Sequence, residues 1–326
     1  MPKYYLRTHL SPTYYNLAKH LQDYNWHATK FPFLSKFGEK NLDYNQEIST
    51  QLEYKNRLVE LCQKYCPDII PNTYLINDNN WREILNKIKS IPFSLEKIWI
   101  LKPALLNNGQ HICLFNNLEK IKAHFLSPYR MGGEHVLQEY ISKPHLLKGP
   151  KNLGHKYSIR MFMVLTHDNN AFLYSHGYFN IAVEPYQENN IDDVNSHITN
   201  EHLQEDRVNV IQIPTFKYDF FKPLYPKIKL ILSRLTTGLQ KKYPVNILEN
   251  NISKLAIFGM DFIVDAEQKV WLIEANHGPC FPTSKTHDLY ESLYSDFWHS
   301  LIENFVLVSN QKPAQEKTIY PDFERL

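Results

Sequence analysis

Two apolar stretches near the C-terminus each carry an acidic residue that could hold a metal ion. The sequence "WLIEANHGP" at residues 271–279 places Glu274 and Asn276 at the end of an apolar run, and "FGMDFIVD" at 258–265 contains Asp261. Side chains alternate between the two faces of a strand, so Glu274 and Asn276 share a face. Mg²⁺ at nucleotide sites takes carboxylate oxygens together with phosphate oxygens, and an amide oxygen can join them. We therefore predict that Asp261, Glu274 and Asn276 are magnesium ligands.

The two stretches are predicted to pair as a hairpin around the loop "AEQK". The predicted register pairs Asp265 with Val270, Ile263 with Leu272 and Asp261 with Glu274. Two carboxylates directly opposite each other repel and destabilise a sheet, so a cation between them would explain the arrangement. The alternative is a hairpin whose acids point into solvent. Glu274 alone fits either interpretation, but three polar side chains among apolar neighbours favour the metal site.

Two other predicted strands carry cations that could bind phosphate groups. Lys102 ends the apolar run "KIWILKP", and alternation in "KYSIRMFMVL" places Lys156, Ser158 and Arg160 on one face. Two cations on one face of a largely apolar strand need an anion or an exit to solvent. Each cation alone also fits a long side chain that reaches water past apolar neighbours. The strand "VLQEYI" at 136–141 is a candidate adenine-binding hinge or a plain sheet strand.

The elements that must position these residues follow from hydrophobic periodicity and from turn signals. Helices are predicted at 46–66, 77–90, 116–125, 226–242 and 286–308, and strands at 68–76, 97–103, 112–115, 134–141, 156–166, 171–179, 256–265 and 270–276. Residues 27–41 are expected to be mostly loop, and the last residues a tail. The stretch 181–225 is expected to be irregular and functional or mobile. This order predicts α+β lobes in which antiparallel sheets meet helices.

Composition excludes several classes of protein. The chain has 326 residues, of which 43% are hydrophobic and 21% charged, and its net charge is +2. This balance argues against a nucleic-acid partner, and no run approaches the roughly 18 apolar residues of a membrane span. The N-terminus has no apolar signal segment, and four cysteines do not make a disulfide framework. We take Cys62 and Cys66, four residues apart on a predicted helix, as packing residues. A cytoplasmic monomer is expected.

Several of these motifs together resemble the tubulin–tyrosine ligase-like family, which has the ATP-grasp fold. The matching segments, in the family's order, are "WILKP" at 99–103, "LQEYI" at 137–141, "HKYSIRMFMVLT" at 155–166, "VEPY" at 183–186, "SHITN" at 196–200, "FGMDFIVD" at 258–265 and "IEANHGP" at 273–279. Each motif alone is unspecific, but seven in order make a strong resemblance. It covers about two-thirds of the chain and leaves residues 1–66 only loosely matched.

The resemblance implies an ATP- and Mg²⁺-dependent ligase that joins a carboxylate to an amine through an acyl phosphate. The catalytic residues implied are Arg160 and Glu274. The ATP-binding residues implied are Lys102, Gln138, Glu139, Tyr140, Ile141, Lys156 and Asp261. The substrate- and phosphate-binding residues implied are Ser158, Asn180, His197, Thr199 and Asn200. Asp261, Glu274 and Asn276 match the family's magnesium ligands.

The sequence departs from the family pattern where the amine substrate and the phosphate lid would be contacted. Ser158 stands where the family has aspartate, and Ser175 and Asn180 stand where it has arginine. Only Gly109 remains of a glycine-rich loop. The amine therefore stays open among tyrosine, glutamate, glycine and other amines. Arginine pairs with a carboxylate through two hydrogen bonds, so we expect this chain's amine to differ from the family's usual tyrosine or glutamate.

Three lobes and an acceptor are expected from the resemblance. The predicted division is an N-terminal lobe at 1–90, a central ATP-grasp lobe at 91–150, a C-terminal ATP-grasp lobe at 151–312 and a tail at 313–326, with the nucleotide between the central and C-terminal lobes. The acceptor is expected to be a protein, tubulin or another. The alternatives are a small-molecule peptide ligase of the same fold and a nucleotide-binding pseudoenzyme, which fold-level similarity does not separate.

Overall fold

Three sheets with surrounding helices make up the computed structural model of the chain. The described residues are 1–91, 97–106, 109–148, 153–167, 170–199, 210–244, 254–279, 281–307 and 322–326. Within them, the α+β architecture predicted from the sequence is confirmed. No helix among these residues has both the length and the apolar character that a membrane span requires.

The six-stranded antiparallel sheet supplies half of the predicted site residues that the structure describes. Its strands are β8 (His155–Thr166), β9 (Ala171–Pro185), β10 (Val210–Pro214), β11 (Leu255–Val264), β12 (Val270–His277) and β13 (Phe323–Arg325). The order is β10-β9-β8-β11-β12, and β13 pairs with β9. β10 pairs with the second half of β9 and β13 with its first half. Strand β8 therefore lies at the centre of the sheet, between β9 and β11.

Alternation along β8 separates a core face from a site face. Tyr157, Ile159, Met161 and Met163 all lie in the core cluster that helices α3 (Gln46–Glu53), α4 (Lys55–Tyr65) and α8 (Tyr225–Lys242) complete. On the other face, Phe162 packs 4.8 Å from Phe297, measured between ring centroids. Phe297 belongs to α9 (Ser295–Leu301), which two π-helical segments extend to Tyr290–Leu307. The same face carries Lys156, Ser158 and Arg160, as the sequence predicts.

The four-stranded sheet forms the opposite wall of the site. Its strands are β4 (Thr73–Ile76), β5 (Trp99–Pro103), β6 (Cys113–Phe115) and β7 (His135–Glu139), in the order β4-β7-β5-β6, all antiparallel. Helices α5 (Trp81–Lys89) and α6 (Leu118–Leu126) cover one face and form a separate core with Trp99, Leu101 and Leu137. Lys102 and Gln138 lie on the strands of this sheet and face the site.

The N-terminal residues contain more structure than the sequence predicts. Strands β1 (Lys3–Tyr5), β2 (His27–Ala28) and β3 (Phe37–Gly38) form a small sheet that is parallel rather than antiparallel. Helix α1 (Pro12–Asp23) begins after Ser11, whose side chain accepts a hydrogen bond from the Thr13 N–H. Helix α2 (Glu39–Leu42) follows β3 directly. The expectation of a mostly loop segment at 27–41 is wrong for the residues of β2, β3 and α2.

Three further expectations differ from the structure. The helix predicted over 46–66 is two helices, because Tyr54 has an extended ψ of 121° and the Lys55 N–H bonds the Ala104 carbonyl. The irregular stretch at 181–225 contains α7 (Val194–His197) and β10. The expected tail includes β13, while residues 308–321 lie outside the described residues. Cys62 and Cys66 are both buried in the core, as predicted.

The hairpin register is confirmed at the acids and wrong nearer the turn. Asp261 faces Glu274, as predicted, but Val264 rather than Asp265 faces Val270. The register shifts at a β-bulge between Asp261 and Phe262. A bulge places two residues opposite one, which turns a one-residue error near the turn into correct pairing at the acids.

Candidate active site

A cavity of about 540 Å³ lies between the four-stranded and six-stranded sheets. Its volume is in the range of small-molecule sites. Every described residue that the sequence analysis assigns to the site lines this cavity: Lys102, Gln138, Glu139, Tyr140, Ile141, Lys156, Ser158, Arg160, Asn180, His197, Thr199, Asp261, Glu274 and Asn276. Asn200 lies outside the described residues. The structure thus brings together side chains from six strands and from α7.

Arg160 binds one of the two acids. Its Nε donates to Asp261 Oδ1 at 2.5 Å, and its Nη2 donates to Asp261 Oδ2 at 2.7 Å. Burial opposes the charge of Arg160, but Asp261 raises the pKa of Arg160 well above its usual value. Gly259 makes this geometry possible, because a Cβ there would lie 2.9 Å from Arg160 Cδ.

The second acid, Glu274, faces a lysine from the N-terminal half of the chain. Lys55 Nζ lies 3.7 Å from Glu274 Oε2 and donates to the Leu106 carbonyl at 2.6 Å. Burial alone would raise the pKa of Glu274, but Lys55, Lys102 and Arg160 together lower it. Glu274 is therefore an anion surrounded by three cations at the centre of the site.

Two buried lysines lie on opposite walls of the cavity. Lys102 donates to Gln138 Oε1 at 3.0 Å, and Lys156 donates to the Tyr140 hydroxyl at 2.7 Å and to the His197 carbonyl at 2.8 Å. Burial lowers the pKa of Lys102 to about 8. Burial, with Lys102 nearby, lowers the pKa of Lys156 to about 7. A bound anion would relieve both penalties, because it favours the charged form of each lysine.

Lys156, Tyr140 and His197 form a hydrogen-bonded chain. The Tyr140 hydroxyl lies 2.8 Å from His197 Nδ1, while His197 Nε2 lies 3.0 Å from the carbonyl oxygens of Gln187 and Asn190. Because carbonyl oxygens only accept, Nε2 carries the ring proton and Nδ1 accepts from Tyr140. Burial lowers the pKa of His197, which matches this neutral form. His197 thereby fixes the hydroxyl that receives the Lys156 hydrogen bond.

The predicted hinge, residues 138–141, is partly occupied by contacts within the protein. Gln138 bonds Lys102 and donates to Thr73 Oγ1 at 3.0 Å. The N–H groups of Glu139 and Tyr140 donate to the carbonyls of Asn72 and Ile98. Ile141 lines the cavity together with apolar side chains from three neighbouring strands and a loop: Ile100, Ile112, Ile263 and Ile273. These isoleucines create an apolar slot beside the hinge.

A metal ion has a partial ligand set here. Among the residues that the structure describes, no group of three or more His, Cys, Asp or Glu side chains could hold a metal. Asp261 and Glu274 do face each other, and Asn276 Nδ2 donates to Asp261 Oδ2 at 3.0 Å, which leaves Asn276 Oδ1 free for a cation. Two carboxylates and an amide oxygen fit Mg²⁺ when phosphate oxygens complete the shell.

The polar residues of the site that were missed in the sequence include Lys55 and Gln212. Lys55 lies within the helix predicted over 46–66, and only its long-range contact with Glu274 reveals its place in the site. Gln212 lies on β10 inside the stretch expected to be irregular, and its Nε2 donates to Asn180 Oδ1 at 2.9 Å. Alternation in "VIQIP" was the available signal, because Gln212 is the polar residue between two isoleucines.

Two family models match the chain in comparisons with known proteins. The model of the tubulin-tyrosine ligase family matches residues 10–215, and the model of YheC/D-like ATP-grasp proteins matches residues 195–302. Relatives include a protein polyglycylase TTLL10 of Macaca fascicularis, 26% identical over 254 residues, and a probable beta-tubulin polyglutamylase of Tetrahymena thermophila, 27% identical over 266 residues. An inactive polyglycylase TTLL10 of Homo sapiens is 24% identical over 254 residues.

The chain aligns with only part of each relative. The alignments cover 67%, 70% and 67% of this chain, in the same order, but 39%, 21% and 36% of the relatives' own lengths. Residues 10–215 carry Lys55, Lys102, Lys156 and Arg160, while Asp261, Glu274 and Asn276 fall in the second matched range. Both matched ranges therefore contribute residues to the cavity.

Proposed function

Because the chain belongs to the tubulin-tyrosine ligase family and has the ATP-grasp fold, we propose that it is an ATP-dependent ligase. It joins a carboxylate to an amine, with ADP and phosphate as the other products. The observation that carries the proposal is the convergence of Lys102, Lys156, Arg160 and the Asp261–Glu274 pair on one cavity. Such a mixture of cations and metal-ligating anions suits phosphoryl transfer, in which charge develops on the phosphoryl oxygens.

The nucleotide is proposed to lie along β11 and β12. The adenine ring occupies the apolar slot of Ile100, Ile263 and Ile273 beside the hinge at 138–141. Lys102 and Lys156 bind phosphate oxygens, which suits side chains whose pKa is lowered by burial without an anion. Arg160 acts where charge develops in the transition state.

Magnesium is proposed to bind Asp261, Glu274 and the Asn276 amide oxygen. When bound, it neutralises charge on the phosphate oxygens. Asp261 already accepts two hydrogen bonds from Arg160, so Arg160 positions this carboxylate for the cation. Lys55 limits the repulsion between Glu274 and an incoming anion, since its Nζ lies 3.7 Å from Glu274. Arg160 and Lys55 therefore hold the two carboxylates in place before the ligands bind.

The substrates are proposed to be a protein carboxylate and an amino acid or related amine. One relative is named a protein polyglycylase, and another is named a probable beta-tubulin polyglutamylase. An acidic protein such as tubulin is thus a candidate acceptor, and a small peptide acceptor is the alternative. We also propose a cytoplasmic location and a monomeric state. The division into lobes at 1–90, 91–150 and 151–312 remains a proposal.

Incubation with ATP, Mg²⁺, an amino-acid mixture and a cell lysate tests the proposal. ADP release and protein mass shifts are both measured, and single amines are then omitted in turn. We expect ADP release that depends on one amine and stops in Glu274→Gln. Glu267→Gln is the matched control, because Glu267 is exposed on the loop of the same hairpin. ADP release unaffected by Glu274→Gln would contradict the assignment of this cavity.

A nucleotide-binding protein without turnover is a second candidate. The closed Arg160–Asp261 pair favours it, because each partner already neutralises the other before any ligand binds. The two candidates separate in one experiment, since both bind ATP but only the ligase forms ADP together with a protein mass shift.

A further inference from the structure

Two rows of side chains cross the site face of the six-stranded sheet. The charged row consists of Arg160, Asp261 and Glu274, which are direct cross-strand partners on β8, β11 and β12. The neutral row consists of Ser158, Asn180 and Gln212, which are direct partners on β8, β9 and β10. Every member of both rows lines the same cavity. The two rows lie two residues apart along β8, which is about 7 Å.

The neutral row extends away from the proposed nucleotide position. Adjacent strands lie about 4.8 Å apart, so Gln212 on β10 is roughly 14 Å from β11, three strands away. Asn180 and Gln212 therefore line a part of the cavity away from β11, the strand that holds Asp261 and Ile263. A second substrate, rather than the nucleotide, would occupy this part.

Asn180 and Gln212 form a pair of amides with defined free groups. Gln212 Nε2 donates to Asn180 Oδ1 at 2.9 Å, and Asn180 is only 6% exposed. No other side-chain hydrogen bond joins either amide within the part of the chain that the structure describes. The pair thus keeps donors on Asn180 Nδ2 and on the second N–H of Gln212 Nε2, and it keeps an acceptor in Gln212 Oε1.

A ligand group that offers an acceptor and a donor together satisfies both kinds of free group. A carboxylate offers acceptors only, so it can accept from the free N–H groups but leaves Gln212 Oε1 without a donor. A carboxamide or a peptide bond satisfies both partners. Burial strengthens this selection, since an unpaired polar group is costly away from water.

The three cations on the described walls of the cavity do not change this chemistry. Lys102 bonds Gln138, Lys156 bonds Tyr140, and Arg160 bonds Asp261. They lie on β5 and on β8, where Lys156 and Arg160 stand two residues to either side of Ser158. A free carboxylate over the amide pair would therefore have to draw a cation away from its present partner.

We infer that the Asn180–Gln212 pair is a subsite for an amine co-substrate that carries a neutral amide instead of a free carboxylate. The inference rests on the proposed function, because it needs a ligase with an amine substrate. The amide belongs either to an amino-acid amide or to the first peptide bond of a peptide. Asn180 and Gln212 are then the residues that determine which amines bind.

Isothermal titration with matched amines tests the inference. The protein is first titrated with AMPPNP and Mg²⁺, which checks the nucleotide site on its own. The saturated complex is then titrated with glycine, glycinamide and glycylglycinamide. We expect an amide-bearing ligand to bind at least tenfold more tightly than glycine. Tighter binding of glycinamide identifies an amino-acid amide, and tighter binding of glycylglycinamide identifies a peptide.

Three variants complete the experiment. Asn180→Arg should reverse the preference toward glycine, and Gln212→Leu should reduce it below threefold. Ile211→Gln, an exposed neighbour on the same strand, is the control and should retain it. Thermal unfolding checks that each variant is folded. Equal or tighter binding of glycine by the wild type would overturn the inference even if AMPPNP binds. So would the absence of amine binding at about 10 mM, roughly tenfold above the upper end of usual KM values. Failure of AMPPNP binding would instead overturn the proposed function.

Discussion

Arg160 is the residue whose removal should most affect turnover rather than nucleotide affinity. It contacts Asp261 through two hydrogen bonds, and in the proposed complex it lies where phosphoryl charge develops. We expect Arg160→Ala to lower kcat about 100-fold, the usual loss for one electrostatic contact to a transition state, with a smaller change in KM for ATP. Steady-state ADP release measures both. Unchanged kcat would remove Arg160 from the reaction.

The two buried lysines should show the opposite pattern. Lys102 and Lys156 face ground-state phosphates in the proposed complex, so Lys102→Ala and Lys156→Ala should each weaken ATP binding about tenfold or more. Calorimetric titration with AMPPNP measures the affinity. Lys217→Ala, an exposed lysine, is the control. If either buried-site variant bound nucleotide as tightly as the control, that lysine would not contact phosphate.

Lys156 also predicts a proton linkage. Burial lowers its pKa to about 7, whereas the unfolded chain has the usual value of 10.5. The unfolded state binds more protons between these values, so the free energy of unfolding should rise with pH across this window. Phosphate binding restores the charged form, and nucleotide binding at pH 8.5 should therefore take up protons. Titrations in buffers of different ionisation enthalpy measure the proton uptake. Lys156→Met should reduce this uptake, and the remaining part should come from Lys102.

At the scale of the elements, Gly259 on β11 gives Arg160 its space. A Cβ at residue 259 would lie 2.9 Å from both Arg160 Cδ and Nη1. Gly259→Ala should displace the guanidinium from Asp261, lower kcat at least tenfold and reduce the free energy of unfolding by about 1–3 kcal/mol. Gly132→Ala is the control, because the nearest atom to its Cβ is 3.4 Å away. Full activity in Gly259→Ala would mean that the Arg160 side chain can move away from the added methyl group and still bind Asp261.

The elements also explain which features the sequence could predict. Strong alternation on β8 and β12 predicts the faces of Lys156, Arg160 and Glu274, because each strand separates a core from a polar site. The bulge at Asp261 has no residue signature, so the register near the turn was wrong. Strand β10 was missed because its pairing with β9 spans a long segment of chain. Lys55 could not be predicted, since only the packed structure brings α4 to Glu274.

At the scale of the whole molecule, the site depends on the packing of three distant parts of the chain. Lys55 comes from α4, Lys102 from the four-stranded sheet and Glu274 from the six-stranded sheet. Burial lowers the pKa of Lys102 while the charge of Glu274 across the cavity opposes that shift, and Lys102 in turn helps to lower the pKa of Glu274 against its own burial. A ligand between the sheets therefore contacts side chains from two sheets that pack on separate hydrophobic cores. Its binding should stabilise the molecule as a unit rather than one sheet alone.

Thermal unfolding with nucleotide tests this coupling and the metal assignment together. At 100 times its Kd, a ligand that binds only the folded state stabilises it by about 2.7 kcal/mol, which raises Tm by a few degrees. ATP with Mg²⁺ should produce this rise in the wild type, and ATP with EDTA should produce little, because its phosphates would face Asp261 and Glu274 unscreened. In Glu274→Gln the two rises should become similar, since one unscreened carboxylate and one metal ligand are lost together. Glu267→Gln should keep the wild-type difference, as Glu267 is exposed away from the cavity. Equal rises with Mg²⁺ and with EDTA in the wild type would contradict a metal ion between the two acids.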